Sequence, residues 1–257
     1  MTEIIEAAHR ALSAANSGSE EGRIQLDRLR DPLLELAAQG DAEAQSVLGG
    51  IALEHDEDPA AALMFWTLSA DQGHPAGQRG LGHLYVTGAG VPRDLEKAVQ
   101  LFQAAAAAGD PLAMFNLAML HLKGDVTDRM PPEEVMPLMQ AAAELGVKEA
   151  SAVVGDWLAA MNDDQEALWW YVRAAESGHV GAMFIAASRY RDGLGTASNA
   201  VQAVRWFLKM LDSGNGDGVH EAIQLARSMT DEQIREAANL AGRRPDAQAL
   251  ISAVRPR

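Results

Sequence analysis

The residues of this sequence whose types suggest chemistry are seven histidines, five tryptophans and one glycine-rich acidic stretch. No two histidines lie four residues apart, the spacing that places two imidazoles on one helix face as metal ligands. His74 and His179 each follow a glycine that closes a helical segment, and His121 takes a place filled elsewhere by Tyr85 and Tyr190. We therefore expect structural histidines and no metal site.

The stretch 214–218 has the alternating glycine and polar residues of a calcium loop. Counted from Ser213, however, position one is serine instead of aspartate, and position twelve is Gln224 instead of a bidentate glutamate. We interpret the stretch as a flexible junction. The sequence also lacks a phosphate-binding loop, a nucleophile elbow, a dinucleotide fingerprint and any cysteine. We therefore predict no catalytic residue, no cofactor and no enzymatic activity.

The formal net charge is −15, which argues against binding to nucleic acid or to an anionic membrane surface. It is compatible with simple solubility or with a basic partner. No apolar run reaches the roughly 20 residues that span a bilayer. The first residues are acidic where a signal peptide would be basic, so we expect a cytoplasmic protein without membrane insertion.

Regularly spaced glycines reveal an internal repeat. Most follow an alanine-rich segment, and successive members lie 32 to 37 residues apart. That period is the length of a helix–turn–helix unit in solenoid proteins. The glycines are Gly40, Gly73, Gly109, Gly146, Gly178 and Gly214.

The unit that ends at Gly109 shows the pattern most clearly. We predict a first helix over 76–87 and a turn with positive φ over 88–90. Asp94 has the right type and place to cap the second helix, and Gly109 to end it. Apolar residues at helical spacing form a buried stripe along this second helix. They are Leu95, Ala98, Leu101, Phe102 and Ala105.

This unit resembles the Sel-one-like repeat (SLR), a relative of the tetratricopeptide repeat. The residues that carry the resemblance are Leu81-Gly82-x-x-Tyr85, Gly88-x-Gly90-Val91-x-x-Asp94, Lys97-Ala98 and Ala105-Ala106-x-x-Gly109. The resemblance implies an all-α fold, a right-handed α-solenoid or superhelix of antiparallel helix pairs. We expect capping helices over 1–39, five repeats over 40–214 and capping helices over 215–257. In the first segment we expect Leu33, Leu34, Leu36 and Ala37 to face repeat one. In the last segment the capping-box spacing of Thr230 and Gln233 predicts a helix through Ala241, followed by a short helix from Pro245 to about Val254. The repeat boundaries are approximately 40–73, 74–109, 110–146, 147–178 and 179–214.

The other four repeats match the pattern less fully. In repeat one the turn is shortened, and we predict Asp58 as the cap and Pro59 as the first residue of the second helix. Repeat three has Pro131 and Pro132 in place of the cap, and Pro137 falls inside its second helix. A local kink, a delayed helix start and a change in solenoid curvature are all compatible with an interior proline. Repeat four lacks the Gly-x-Gly turn, and we predict Asp163 as its helix cap.

Large apolar residues occupy two adjacent columns of the second helices. We interpret them as the core between repeats, although a tryptophan-rich ligand platform is an alternative. Trp169 stands outside these columns, at a position that is not consistently apolar in the other repeats. An exposed Trp169 would be a contact for a partner, because tryptophan is enriched at interface hot spots. The columns are Phe65, Leu101, Leu138, Trp170 and Trp206, and Trp66, Phe102, Met139, Tyr171 and Phe207.

First helices line the concave face of such solenoids, so their variable positions are candidate contacts. Phe115 and Met119 share one helix face and, flanked by Arg79, His83 and Phe184, predict an apolar groove with a basic edge. The alternative is that Phe115 and Phe184 pack inside. The resemblance implies a non-catalytic scaffold or adaptor that binds a protein or peptide. The other candidate is a cognate inhibitor or immunity-type protein that neutralises a basic toxin or effector.

Overall fold

A computed structural model describes residues 2–255, and all of its regular elements are helical. Within these residues there are fifteen α-helices and one short 3-10 helix. The α-helices are α1 Thr2–Asn16, α2 Glu20–Ala38, α3 Ala42–Glu54, α4 Pro59–Asp71, α5 Pro75–Thr87, α6 Leu95–Ala107, α7 Pro111–Lys123, α8 Pro132–Glu144, α9 Lys148–Ala160, α10 Asp164–Glu176, α11 Val180–Asp192, α12 Ala200–Lys209, α13 Asp217–Ala226, α14 Asp231–Leu240 and α15 Asp246–Val254. The 3-10 helix is Met210–Ser213.

The chain divides into two compact units, one that extends to Leu138 and one that begins at Met139. In the first unit α1 packs with α2, α3 with α4 and α5 with α6, each pair joined by a short turn. The first helices α3 and α5 also contact each other. In the second unit α9 pairs with α10 and α11 with α12. The predicted all-α fold of serial helix pairs is confirmed.

Aspartates start many of the helices. The side chain of Asp94 accepts a hydrogen bond from the backbone N–H of Lys97, and Asp163 accepts one from that of Glu166. Asp58 accepts from two such groups ahead of Pro59. These bonds satisfy donors that a helix N-terminus leaves free. The three predicted caps are confirmed, and Gly88 and Gly90 have the predicted positive φ.

The aromatic columns form the core of both units. Trp66, Phe102, Met139, Tyr171 and Phe207 are all buried, as are Trp170 and Trp206. Glycines of first helices make room for several of these rings, as Gly82 does for Phe102 and Gly155 for Tyr171. The interpretation of these columns as core is confirmed for these seven residues, and Phe65, Leu101 and Leu138 are partly buried against core residues.

Trp66 illustrates the close packing that the glycines permit. A Cβ added to Gly49 would lie 2.5 Å from Cδ1 of the Trp66 ring, and one added to Gly80 would overlap the same ring. The indole Nε1 donates a hydrogen bond of 3.0 Å to the carbonyl of Ser46. Trp66 is therefore fixed by α3 and α5 together.

The N-terminal helix pair closes the first unit. Leu33 and Ala37 of α2 are buried and Leu36 packs against the same core, as expected. Leu34 was also expected to face the first repeat, but its side chain is 41% exposed. Leu33, Leu36 and Ala37 have the i, i+3, i+4 spacing of one helix face, and Leu34 lies about 100° around the helix from Leu33, outside that face.

The C-terminal helices are partly as predicted. Thr230 and Gln233 form a reciprocal capping box at the start of α14, and α15 follows. The expected flexible junction is wrong from Asp217 onward, where α13 begins. Gly218 of this helix lies against the backbone of Phe207, so close that a Cβ would be 2.7 Å from its carbonyl oxygen. The junction is thus a packed part of the second unit.

In repeat three, α8 begins before its interior proline. The carbonyl of Pro131 accepts hydrogen bonds from the N–H groups of Glu134 and Val135, and Pro137 lies inside the helix with its ring exposed. The alternative of a delayed helix start is therefore wrong.

No α-helix of residues 2–255 is both long and apolar enough to cross a lipid bilayer.

Candidate partner-binding surfaces

Three of the predicted contact residues meet at one cavity in the first unit. His83 of α5 and Phe115 and Met119 of α7 line a depression of about 220 Å³, which we call the α5–α7 cavity. Phe115 and Met119 lie one helical turn apart and therefore share a face of α7. The prediction that they form one surface with His83 agrees with this geometry. The full lining is His83, Val86, Phe102, Phe115, Asn116, Met119, Leu120, Lys123 and Asp125.

The α5–α7 cavity is apolar inside and polar at one end. Phe102 of α6 is buried and lines it because Gly82 on α5 has no side chain to push the ring away. A Cβ on Gly82 would be 2.7 Å from Cε1 of Phe102. Lys123 and Asp125 follow at the C-terminal end of α7. The cavity is therefore suited to an apolar side chain beside a polar group.

His83 is exposed, but the pKa of its imidazole is lowered. Desolvation by the surrounding chain lowers its pKa below the usual 6.5, and the charge of Arg79 lowers it further. Glu54 acts in the opposite direction. His83 is thus held towards the neutral form, which offers one hydrogen-bond donor and one acceptor at the cavity.

Arg79, predicted as part of a basic edge, forms an ion pair within the chain, and its contact with a partner stays a prediction. Its Nε donates to both carboxylate oxygens of Asp110, at 3.0 and 3.1 Å, and its side chain is largely covered. The same carboxylate caps α7 by accepting from the N–H of Ala113 at 2.8 Å. Alignment of first helices alone could not reveal this, because the partner is the cap of the next repeat.

The first-helix positions equivalent to Arg79 and His83 are not exposed in every repeat. Ser46 and Gly50 of α3 are buried, as is Ala152 of α9. At Gly50 the covering atom is Cδ2 of Leu12 in α1, 3.4 Å from the position of a Cβ. The N-terminal helix pair thus covers the first-helix face of repeat one and leaves that of α5 and α7 accessible.

Trp169 marks a second surface, in the second unit. Its side chain is 54% exposed, and its ring meets that of Trp170 edge-on at 4.7 Å. The guanidinium of Arg173 lies 5.4 Å from the centre of the Trp169 ring. Trp169 lines a cavity of about 740 Å³, which we call the Trp169 cavity. The lining residues are Asp163, Gln165, Glu166, Leu168, Trp169, Val172, Tyr190, Gly195 and Thr196.

Phe184, the sixth predicted contact, also lies in the second unit. Its ring is 38% exposed and packs edge-on against Phe207, with 5.5 Å between ring centres. It is absent from the lining of the Trp169 cavity. One side of the Phe184 ring is therefore packed inside, as in the alternative interpretation, and the other side is open to solvent, as a contact with a partner requires.

A buried polar network supports α10 beside this cavity, and sequence reasoning missed it. Arg189 of α11 is nine-tenths buried and pairs with Asp164 at 2.8 Å, over the ring of Tyr171. The Tyr171 hydroxyl donates to Asp156 at 2.6 Å. Burial and this bond raise the pKa of Tyr171, so it stays neutral. The network ties α9, α10 and α11 together and has a structural role.

Within residues 2–255, no group of three or more histidine, aspartate or glutamate side chains is arranged to hold a metal ion. Glu166 precedes Trp169 by about one turn of α10, and Asp163 caps the same helix. Tyr190 comes from α11, and sequence reasoning missed it as a neighbour of Trp169 because a repeat alignment compares equivalent positions instead of neighbouring ones.

Sequence relatives cover part of this chain. DAP3-binding cell death enhancer 1 of Rattus norvegicus is 32% identical over 164 residues, which is 62% of this chain. The match spans 32% of that relative, so this chain corresponds to about a third of its length.

Two solved structures are similar over nearly the whole chain. One is a protective antigen of uropathogenic Escherichia coli with an SLR fold, with TM-score 0.70 and 26% identity over 98% of this chain and 60% of that one. The other is a Sel1 repeat protein of Oxalobacter formigenes, with TM-score 0.63 and 19% identity over 98% and 97%. The second likeness shows the fold, and both agree with the predicted solenoid class.

The Sel1 repeat family model matches this chain five times and covers more than half of its residues. The matches are residues 42–74, 75–110, 111–132, 155–179 and 180–215. These matches, the serial helix pairs and the SLR fold of its structural neighbours show that the protein belongs to the Sel1 repeat family.

Proposed function

We propose that this protein is a non-catalytic interaction scaffold that binds a partner protein or peptide through the α5–α7 cavity. Proteins with Sel1 repeats generally mediate protein–protein interactions. The observation that carries the proposal is the meeting of His83, Phe115 and Met119 at one partly apolar cavity on the first-helix face.

The lining supports recognition of an apolar anchor. Phe115 and Met119 are both partly exposed, so contact with a partner would remove further apolar surface from water. Methionine adapts to partners of different shape, and aromatic residues dominate interface hot spots. Neutral His83 and the nearby Lys123 supply polar contacts that orient the bound chain.

A crosslinking experiment tests this site. The variant Asn116→p-benzoylphenylalanine places a photoreactive group in the cavity lining, and irradiation in native lysate should join the chain to its partner. The partner identified by mass spectrometry is then titrated against purified protein by calorimetry. Phe115→Ala with Met119→Ala should weaken binding by about 30-fold or more, because both apolar contacts are lost.

Met64→Ala is the matched control, since Met64 is an exposed methionine on the second helix α4. It should bind the partner like the wild type. Circular dichroism melting identifies any variant that has lost its fold. A folded Phe115→Ala, Met119→Ala protein with wild-type affinity would overturn the assignment of the site.

A second candidate is a cognate inhibitor or immunity-type protein, favoured by the net charge of −15. An acidic surface would attract a basic toxin or effector and accelerate association. If the crosslinked partner is such a protein, co-expression of this chain should restore growth to cells that make it. Unchanged toxicity would contradict this second function while leaving the scaffold function intact.

A further inference from the structure

We propose that the Trp169 cavity binds a lysine or arginine side chain from a basic, partly apolar segment of a partner protein. This inference rests on the proposed function and adds the partner's chemistry at a second surface. The observation that carries it is the combination of an exposed indole, a tyrosine and two carboxylates that form no ion pair with any described residue, all around one cavity of about 740 Å³.

The charge of the cavity is negative and unbalanced. Asp163 and Glu166 line it, and no lysine or arginine is among the lining residues. Among residues 2–255, neither carboxylate forms an ion pair. One oxygen of Asp163 caps α10 by accepting from the N–H of Glu166 at 3.2 Å. The other carboxylate oxygens of Asp163 and Glu166 face solvent and can accept hydrogen bonds from a cationic donor.

The aromatic residues of the cavity favour a cation that can bind over the face of a ring. Trp169 and Tyr190 line the same cavity as the two carboxylates, and cations bind favourably over such rings. The molecule already contains one example, because the Arg173 guanidinium lies 5.4 Å from the Trp169 ring centre. Arg173 lines a smaller adjoining cavity with Trp169, Val172 and Glu176, so the larger cavity still lacks a cation.

Apolar lining explains why the cation should belong to a protein chain. Leu168 and Val172 provide surface for the aliphatic stem of lysine or arginine. Leu194, adjacent to the lining residue Gly195, is 45% exposed and can contact a neighbouring apolar side chain. A small inorganic cation would use none of this surface, and an anion would meet two carboxylates.

The wall opposite α10 is held in place by a glycine. Gly195 has φ of 78° and lies so close to the carbonyl of Asp164 that a Cβ would overlap it. The α11–α12 turn therefore rests on the first turn of α10, next to the two carboxylates. The cavity is preformed, which reduces the entropic cost of binding.

Fluorine NMR tests this inference with a defined probe. The protein is labelled with 5-fluorotryptophan, and the resonance of Trp169 is assigned from the variant Trp169→Phe. The peptide acetyl-Gly-Arg-Leu-Arg-Leu-Gly-amide is then added up to millimolar concentration. We expect the Trp169 resonance to shift in a saturable manner and the affinity to fall as NaCl increases. A counterpart peptide with glutamine in place of arginine should shift it little.

Charge removal provides the decisive variant. Asp163→Asn with Glu166→Gln removes both charges while asparagine can still cap α10, so the fold should persist. Peptide affinity should fall about tenfold. The matched control is Asp58→Asn with Glu57→Gln, which makes the same charge change at the start of α4 in the other unit. It should bind the peptide like the wild type.

Other outcomes overturn the inference. Equal affinity for the glutamine peptide would mean that the cavity recognises only the apolar side chains of the peptide. Unchanged affinity after the Asp163 and Glu166 substitutions would show that these carboxylates do not bind the peptide. Saturation by n-butylammonium without peptide binding would indicate a site for small cations. Because Phe115→Ala with Met119→Ala should leave this titration unchanged, failure here is distinguishable from failure of the α5–α7 site.

Discussion

At the scale of single residues, the neighbouring glycines Gly49 and Gly50 of α3 show how position decides what a sequence tolerates. Both lie in the same helix turn and both are buried. At Gly49 the ring of Trp66 occupies the space beside the backbone, and an added Cβ would lie 2.5 Å from it. At Gly50 the nearest atom to an added Cβ belongs to Leu12 and is 3.4 Å away, an ordinary contact distance. The same substitution should therefore have opposite effects at the two positions.

We predict that Gly49→Ala lowers the free energy of unfolding by about 2 kcal/mol, because the Trp66 ring must move in a packed core. Gly50→Ala should leave it unchanged or raise it by up to about 1 kcal/mol through helix propensity. Urea denaturation followed by circular dichroism measures both variants. Equal destabilisation by the two substitutions would show that Trp66 does not require this particular gap.

His83 leads to a prediction about pH. Because its pKa is lowered in the folded protein, the unfolded chain binds a proton more readily near its ordinary value of 6.5. Its contribution to stability is therefore complete above that value and decreases as the pH falls towards the folded pKa. His83→Gln should make the urea midpoint less dependent on pH between about 7.5 and 5.

A titration of the His83 imidazole by proton NMR checks the cause directly. The apparent pKa should lie below 6.5, and Glu54→Gln should lower it further because the glutamate favours the charged ring. An apparent pKa that rises on this substitution would contradict the assigned electrostatics. Such residue-scale effects could not be predicted from the sequence, since Glu54 lies in the preceding repeat.

At the scale of elements, helix ends were the most predictable feature. Asp94 and Thr230 have the side chains that cap helices, and both start the helices expected of them. The start of α13 was not predicted, because its N-cap residue Gly216 has no side chain; the Asn215 side chain instead accepts a hydrogen bond from the N–H of Asp217. A capping side chain helps to locate a helix start in the sequence but is not required, since α5 begins close to its predicted place without one.

Pro137 in α8 tests the cost of an interior proline. The ring is exposed, and proline has no N–H with which to complete the helical hydrogen bonds. Pro137→Ala should raise the free energy of unfolding by about 1–2 kcal/mol, since part of the gain is offset by a more flexible unfolded chain. Urea denaturation is again the measurement. A loss of stability would mean that the surrounding packing requires the proline geometry.

At the scale of the whole molecule, serial stacking should produce graded stability. Helices in the middle of a unit pack against helices that precede and follow them, whereas among the described residues α1 packs against the later helices α2 and α3 and α15 against the earlier helices α13 and α14. Amide hydrogen exchange in α5 and α11 should be slower than in α1 and α15 by about 100-fold or more. Mass spectrometry of peptic fragments gives these rates. Uniform protection would indicate one cooperative unit.

The candidate surfaces were predictable to different degrees. The cavity at Phe115 and Met119 followed from helical spacing, because residues four apart share a face. The exposure of Trp169 followed from the variable character of its column. Its association with Tyr190 could not be predicted, since it depends on how the α11–α12 turn rests on α10.

The dual contact of Asp110 has a consequence for how the chain folds as it is synthesised. Its carboxylate starts α7 and also binds Arg79, a residue made 31 positions earlier. The start of α7 can thus form against a side chain that was synthesised before it, which favours folding from the N-terminus towards the C-terminus at this point of the chain. A circular permutant in which Arg79 is translated after Asp110 would lose this guidance while reaching the same native contacts.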